Sequence, residues 1–134
     1  MKKSFLIIVL TLALSLPTFA FSAQVVKEGS IQGFMRFCEG QYTCTPEEEF
    51  IVAAVEDIFI LLDDDGNAYL LPNIKRSLLR QVLNKQVRIA GETRLDGKAI
   101  MVSKDEVYRR GKWKVFYTPE LAEKAYRELR QPRP

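Results

Sequence analysis

The chain has 134 residues, with 20 Lys and Arg against 17 Asp and Glu, two cysteines and no histidine. A length of this order supports one domain with one core. The missing imidazole removes the commonest general base and transition-metal ligand, which excludes Ser/His/Asp and Cys/His nucleophile arrangements.

The first element is an export signal. Lys2 and Lys3 precede an apolar run from Phe5 to Leu16, and Pro17 then opens a small-residue zone ending in "FAFSAQ". Charged, apolar and cleavage regions in that order form a secretory signal peptide. The run is shorter than the roughly 20 helical residues that cross a bilayer; a retained signal anchor is the alternative. Cleavage after Ser22 puts Ala20 at −3, and cleavage after Ala20 puts Thr18 there. The expected division is 1–22 as signal peptide and 23–134 as one domain, in a bacterial periplasm or secreted. That domain has 18 basic and 17 acidic residues, a net charge of +1. The sum conceals an asymmetry: residues 24–67 carry ten acids and two bases, residues 68–134 sixteen bases and seven acids. Two halves packed side by side would neutralise each other, whereas a basic face would serve an anionic partner.

Ser30–Cys38 reads as the first strand, with Ile31, Gly33, Met35 and Phe37 on one face. A polar loop, "EGQYTCTPEEE", follows. Thr45, Pro46 and Glu48 carry the signature of a helix N-terminus over Pro46–Val55. Enrichment in Val, Ile and Phe favours instead a strand from about Ile51. Asp65-Gly66 predicts a hairpin pairing Ile58–Leu62 with Ala68–Leu71. A helix is predicted after Pro72, with Asn73 as N-cap and Ile74, Leu78, Leu79, Val82 and Leu83 as its stripe. Val87 and Ile89 open a second hairpin that turns at Asp96-Gly97 and returns through Ala99–Val102. A third turns at Gly111 within "EVYRRGKWKVFY", and Thr118-Pro119 starts an amphipathic C-terminal helix.

Strand, paired strands, helix, paired strands is the order of an oligonucleotide/oligosaccharide-binding (OB) fold. "NKQVRIAGETRLDGKAIMVSKDEV", with Val87, Ile89, Gly91, Ile100 and Val102, resembles the helix exit, strand, glycine and hairpin of small exported bacterial OB-type proteins. The resemblance spans roughly residues 30–108 and carries no active-site motif. It implies a mainly β, OB-like barrel of five strands in Greek-key order. One helix would lie between strands 3 and 4, and the C-terminal helix would follow.

Cys38 and Cys44 then fall at the end of strand 1 and in the next loop. In an oxidising compartment they are expected to form a disulfide; closing this seven-residue loop contributes roughly 2 kcal/mol. A redox pair or a soft-metal site is the alternative, although C-x5-C departs from C-x-x-C and no histidine or further cysteine completes a ligand set. "DDDGN" fails as an EF-hand, because Ala68 stands where Gly is needed and Ile74 where Glu is needed. The remaining carboxylates have no spacing that separates a catalytic pair from a solvated run. No catalytic residue, metal or cofactor is therefore expected, and the function expected is a non-enzymatic binding or envelope-interaction module.

Ligand-binding candidates on the barrel are Phe34, Arg36, Tyr42, Tyr69, Arg88 and Arg94, aromatic platforms and cations of the kind OB folds use. Arg109, Arg110, Lys112, Trp113 and Lys114 form a basic-aromatic string suited to an anionic partner. A hairpin with aromatic side chains inward and charges outward would have the same string. The partners expected are a small molecule, a glycan or an envelope protein. Export argues against nucleic acid, and membrane contact is expected through the signal peptide alone.

Overall fold

The computed structural model describes residues 22–40 and 45–131. Among these, six strands form one sheet, accompanied by four α-helices: β1 (Gln24–Gly33), α1 (Phe34–Cys38), α2 (Pro46–Val55), β2 (Phe59–Asp63), β3 (Ala68–Leu70), α3 (Arg76–Leu79), β4 (Gln86–Arg94), β5 (Ala99–Arg109), β6 (Lys112–Tyr117) and α4 (Pro119–Arg130). The strand order is β3-β2-β1-β4-β5-β6, with every sequential neighbour antiparallel. One parallel contact, Leu70 to Ala99, joins β3 to β5 and closes the first five strands into a ring. The sixth strand lies outside that ring, so the expectation of five strands is corrected to six.

The ring encloses one core. Ile31, Leu61, Val87, Ile89, Ile100 and Val102 point inward, each at most 2% exposed. Burying side chains of this size stabilises by roughly 2 kcal/mol each. The core is plugged by Leu79 from α3 and by Val82 and Leu83 after it. Gly91 matters to the closure: a Cβ there would collide with the Met101 carbonyl, and the β4–β5 register shifts between Ala90 and Gly91. Such a bulge bends a strand and increases its twist.

Four further sequence expectations are corrected. The first strand begins and ends earlier than Ser30–Cys38, because the chain leaves the sheet at Gly33. There the Phe34 N–H donates to the Ile58 carbonyl (2.9 Å) and the Met35 N–H to Glu56 Oε1 (3.2 Å), turning Phe34–Cys38 into a helical turn. Pro46–Val55 is a helix and not a strand from Ile51. Its capping box is closed in both directions, Thr45 N–H to Glu48 Oε2 at 2.9 Å and Glu48 N–H to Thr45 Oγ1 at 3.3 Å. Arg76 reaches its other end, donating to the carbonyls of Glu56 (2.8 Å) and Ala53 (3.3 Å). The helix expected after Pro72 is reduced to α3 and a 3-10 turn at Arg80–Val82. Asn73 does not cap it. Its amide instead pairs with both backbone groups of Val102, 2.8 Å each, as a strand neighbour would.

The three hairpins turn where the sequence places them. Asp63, not the exposed Asp64 or Asp65, organises the first: Oδ1 accepts from the Asp65 and Asn67 backbone, Oδ2 from Asn67 Nδ2 and Tyr69 Oη. Burial pushes this carboxyl up, but the hydrogen bonds from Asn67, Tyr69 and Asp65 outweigh it and hold the carboxyl below its usual range. The Thr118 hydroxyl caps α4, as expected, by accepting from the Leu121 N–H (3.2 Å). That helix meets the body through Ala122 and through Tyr126, whose ring centroid lies 3.9 Å from the Lys75 ammonium; Leu129 is exposed on a groove of about 410 Å³, and Leu121 is exposed outside it.

Candidate interaction surface on the third hairpin

β4 begins at Gln86, and its pairing with β5 ends at Val87 opposite Val107. Tyr108 and Arg109 continue past that edge with only β6 beside them, so the β5–β6 hairpin projects from the sheet. Arg110 and Gly111 form its turn, at φ 51° and 74°. Two successive positive φ values define a type I′ turn, whose twist matches the strands. Asn, Asp or Gly usually fills its first position; an arginine there accepts steric cost to stand at the tip.

Arg109, Arg110, Lys112 and Lys114 are all exposed and have no ion pair among the described residues. Arg109 and Lys112 face each other directly across the strands. Like charges so placed are destabilising by several tenths of a kcal/mol. An anion between them would turn that repulsion into attraction.

The aromatic component is held rigidly. Trp113 meets Tyr108 edge-on, centroids 5.2 Å apart and planes at 61°. The Arg88 guanidinium lies 4.1 Å from the Trp113 centroid. Arg88 is itself fixed by Glu28 (2.7 Å), with Glu106 at 4.0 Å, and Lys104 holds Glu106 at 3.1 Å. Contacts of the first two kinds contribute about 0.5–1 kcal/mol each at exposed sites. Val115, 48% exposed, extends the same face opposite Glu106. The hairpin therefore presents a pre-positioned aromatic and aliphatic face, with Arg109, Lys112 and Lys114 on the opposite face and Arg110 at the tip.

The other predicted residues do not converge on one site. Arg88 joins the hairpin. Arg94 lies six residues further along β4, about 20 Å away, paired with Glu92 at 3.0 Å. Tyr69 is buried, its hydroxyl committed to Asp63 (3.2 Å), and offers no platform. Phe34 and Arg36 sit on α1, Arg36 within 3.5 Å of Glu48. Cys38 is exposed at the end of α1, whereas Tyr42 and Cys44 lie outside the described residues.

One group escaped the sequence reading. Asp105 is fully buried, and neither carboxylate oxygen has a hydrogen-bond partner. Burial pushes its pKa up to about 7, and the charge of Glu106 adds to the rise. Strict alternation from Ile100 and Val102 would put Lys104 and Glu106 inside. The shift at Gly91 turns Asp105 and Val107 inward instead. Neither the bulge nor the inward acid has a signal in residue type alone.

Compared with known proteins, the chain matches no family model, no curated protein and no solved structure.

Proposed function

We propose that the chain is an exported, non-enzymatic binding module of OB type that engages an acidic surface of an envelope protein through the β5–β6 hairpin. The observation that carries this reading is the like-charge tip. Arg109, Lys112 and Lys114 stand unpaired on one face of the hairpin, Arg110 at its tip and a fixed Trp113 on the other face, and the facing cations repel until an anionic partner lies between them. The rigid aromatic pair limits the entropy lost on docking, which favours affinity.

The ring order β3-β2-β1-β4-β5, closed by a parallel β3–β5 contact, supports the OB assignment. So does the helical segment that plugs the ring between β3 and β4. The amino-terminal pattern supports export, and a Cys38–Cys44 disulfide would then tether the connection between α1 and α2.

Trp113 is the chain's single tryptophan, so its emission reports directly on the hairpin. Poly-glutamate, as a stand-in for an acidic protein surface, is expected to shift that emission at low salt. The effect fades as the Debye length falls from about 10 Å at 0.1 M to 3 Å at 1 M. Lys112→Glu with Lys114→Glu is expected to abolish it. An emission unchanged by poly-glutamate, or a response equal in the double variant, would remove the hairpin from the binding role.

A further inference from the structure

The region around α2 is the converse of the hairpin. Ile51 and Val55, one turn apart on this helix, are 60% and 72% exposed. Met35 and Ile58, on the segments that enter and leave α2, are 60% and 48% exposed. Single exposed apolar residues are ordinary, but Ile51 and Val55 share one helix face, and Met35 and Ile58 flank the helix in the chain. The same stretch of chain carries Glu39, Glu47, Glu49 and Asp57, none in an ion pair among the described residues. One surface of the molecule is thus apolar and acidic, the other aromatic and basic, each with four uncompensated charges.

The two surfaces leave the sheet at the same end. β1 and β5 are both antiparallel to β4 and so run in the same direction. β1 leads out to α1 and α2, and β5 leads out to the hairpin tip. Within one chain no ion pair joins them among the described residues. A twofold rotation about an axis at this end would set each chain's hairpin against the other's α2 and make the same contact twice.

Resting on the hairpin's role in binding an acidic protein surface, we infer that the partner is a second copy of this chain, joined end to end in a twofold dimer with the hairpin of each seated on the α2 surface of the other. The face of Trp113, Tyr108 and Val115 meets Ile51, Val55, Ile58 and Met35, while Arg110 at the tip and the long cations of the hairpin's other face reach past its edge to the acids. An interface that uses different patches in reciprocal pairs closes at two chains and leaves neither charged surface free. Its charge pairs lie near solvent, so its strength depends on salt.

Sedimentation of the exported full chain tests this. The expected result is a dimer and nothing larger at low salt, dissociating as salt is raised. Val55→Ser removes one exposed methyl pair of the α2 surface without touching the core; it is expected to weaken the dimer at least several-fold and leave the poly-glutamate response of Trp113 intact. Glu47→Lys with Asp57→Lys, and separately Lys112→Glu with Lys114→Glu, are each expected to give monomers, and an equal mixture of the two to restore dimers. A monomer at every concentration and salt would overturn the inference, as would growth beyond two chains or a mixture that stays monomeric. A monomer that still answers to poly-glutamate refutes the twofold dimer alone; one that does not refutes the hairpin reading as well.

Discussion

Replacing Asp105 with asparagine takes a titratable group out of the ring while keeping its shape. The carboxyl is fully buried, has no hydrogen-bond donor, and lies beside Ile89 of β4 and Tyr117 of β6. Its pKa is raised from 3.8 to about 7. The folded chain therefore keeps a proton that the unfolded chain releases at lower pH. Stability from this group is complete below about pH 4, falls as pH rises, and levels off above about pH 7. At 1.36 kcal/mol per unit, the loss across that window is at most about 4 kcal/mol, reduced wherever water reaches the carboxylate. Asp63 and Glu48 are both held low and slope the other way, but they are common to both proteins and cancel in the comparison. Urea unfolding followed by circular dichroism across this range should give nearly equal stabilities at about pH 4 and a variant more stable by 2 to 4 kcal/mol at about pH 8.5. A stability difference that does not change with pH would refute the argument. A wild-type chain that gains stability relative to the variant as pH rises would refute it more strongly.

Further outcomes follow from single contacts. Arg76→Ala should destabilise by about 2 kcal/mol in urea unfolding, because it leaves the last carbonyls of α2 without their charged donor; Arg76→Lys should recover little, since lysine lacks the planar fork. Gly91→Ala should cost about 3 kcal/mol or more by the same measurement, because its Cβ meets the Met101 backbone and not a yielding side chain. Directed to the periplasm, the chain should take up two alkyl groups by intact mass only after reduction; uptake of two without reductant would exclude the Cys38–Cys44 bond and return the pair to thiol chemistry.

What was legible in the sequence was local. Asp65-Gly66, Asp96-Gly97 and Arg110-Gly111 place three hairpins because left-handed turn residues act within their own few positions. Thr118-Pro119 starts α4 just as locally, through a hydroxyl cap and a preset proline φ. What was not legible depended on remote partners. The strand preference of Ile51, Val52 and Val55 is outweighed by a capping box at one end of α2 and by Arg76, some twenty residues away, at the other. Asn73 looks like a helix cap until Val102 is beside it. The candidate site shows the same division. Its cations and aromatics stand out in "YRRGKWKVFY", but the contact that fixes Trp113 comes from Arg88 on another strand. Tyr69, an equally plausible platform by type, is committed to Asp63. The opposing surface on α2 was hidden for a simpler reason: exposed Ile and Val have the same letters as buried ones.

Amide hydrogen exchange of the chain with and without poly-glutamate, at a concentration where the free chain is monomeric, tests the central claim most directly. Protection confined to residues 105–117, with little change in β2, β3 or the β4–β5 turn, is the result predicted for a module that binds through its third hairpin. Protection centred on residues 58–71, or none anywhere, would contradict it.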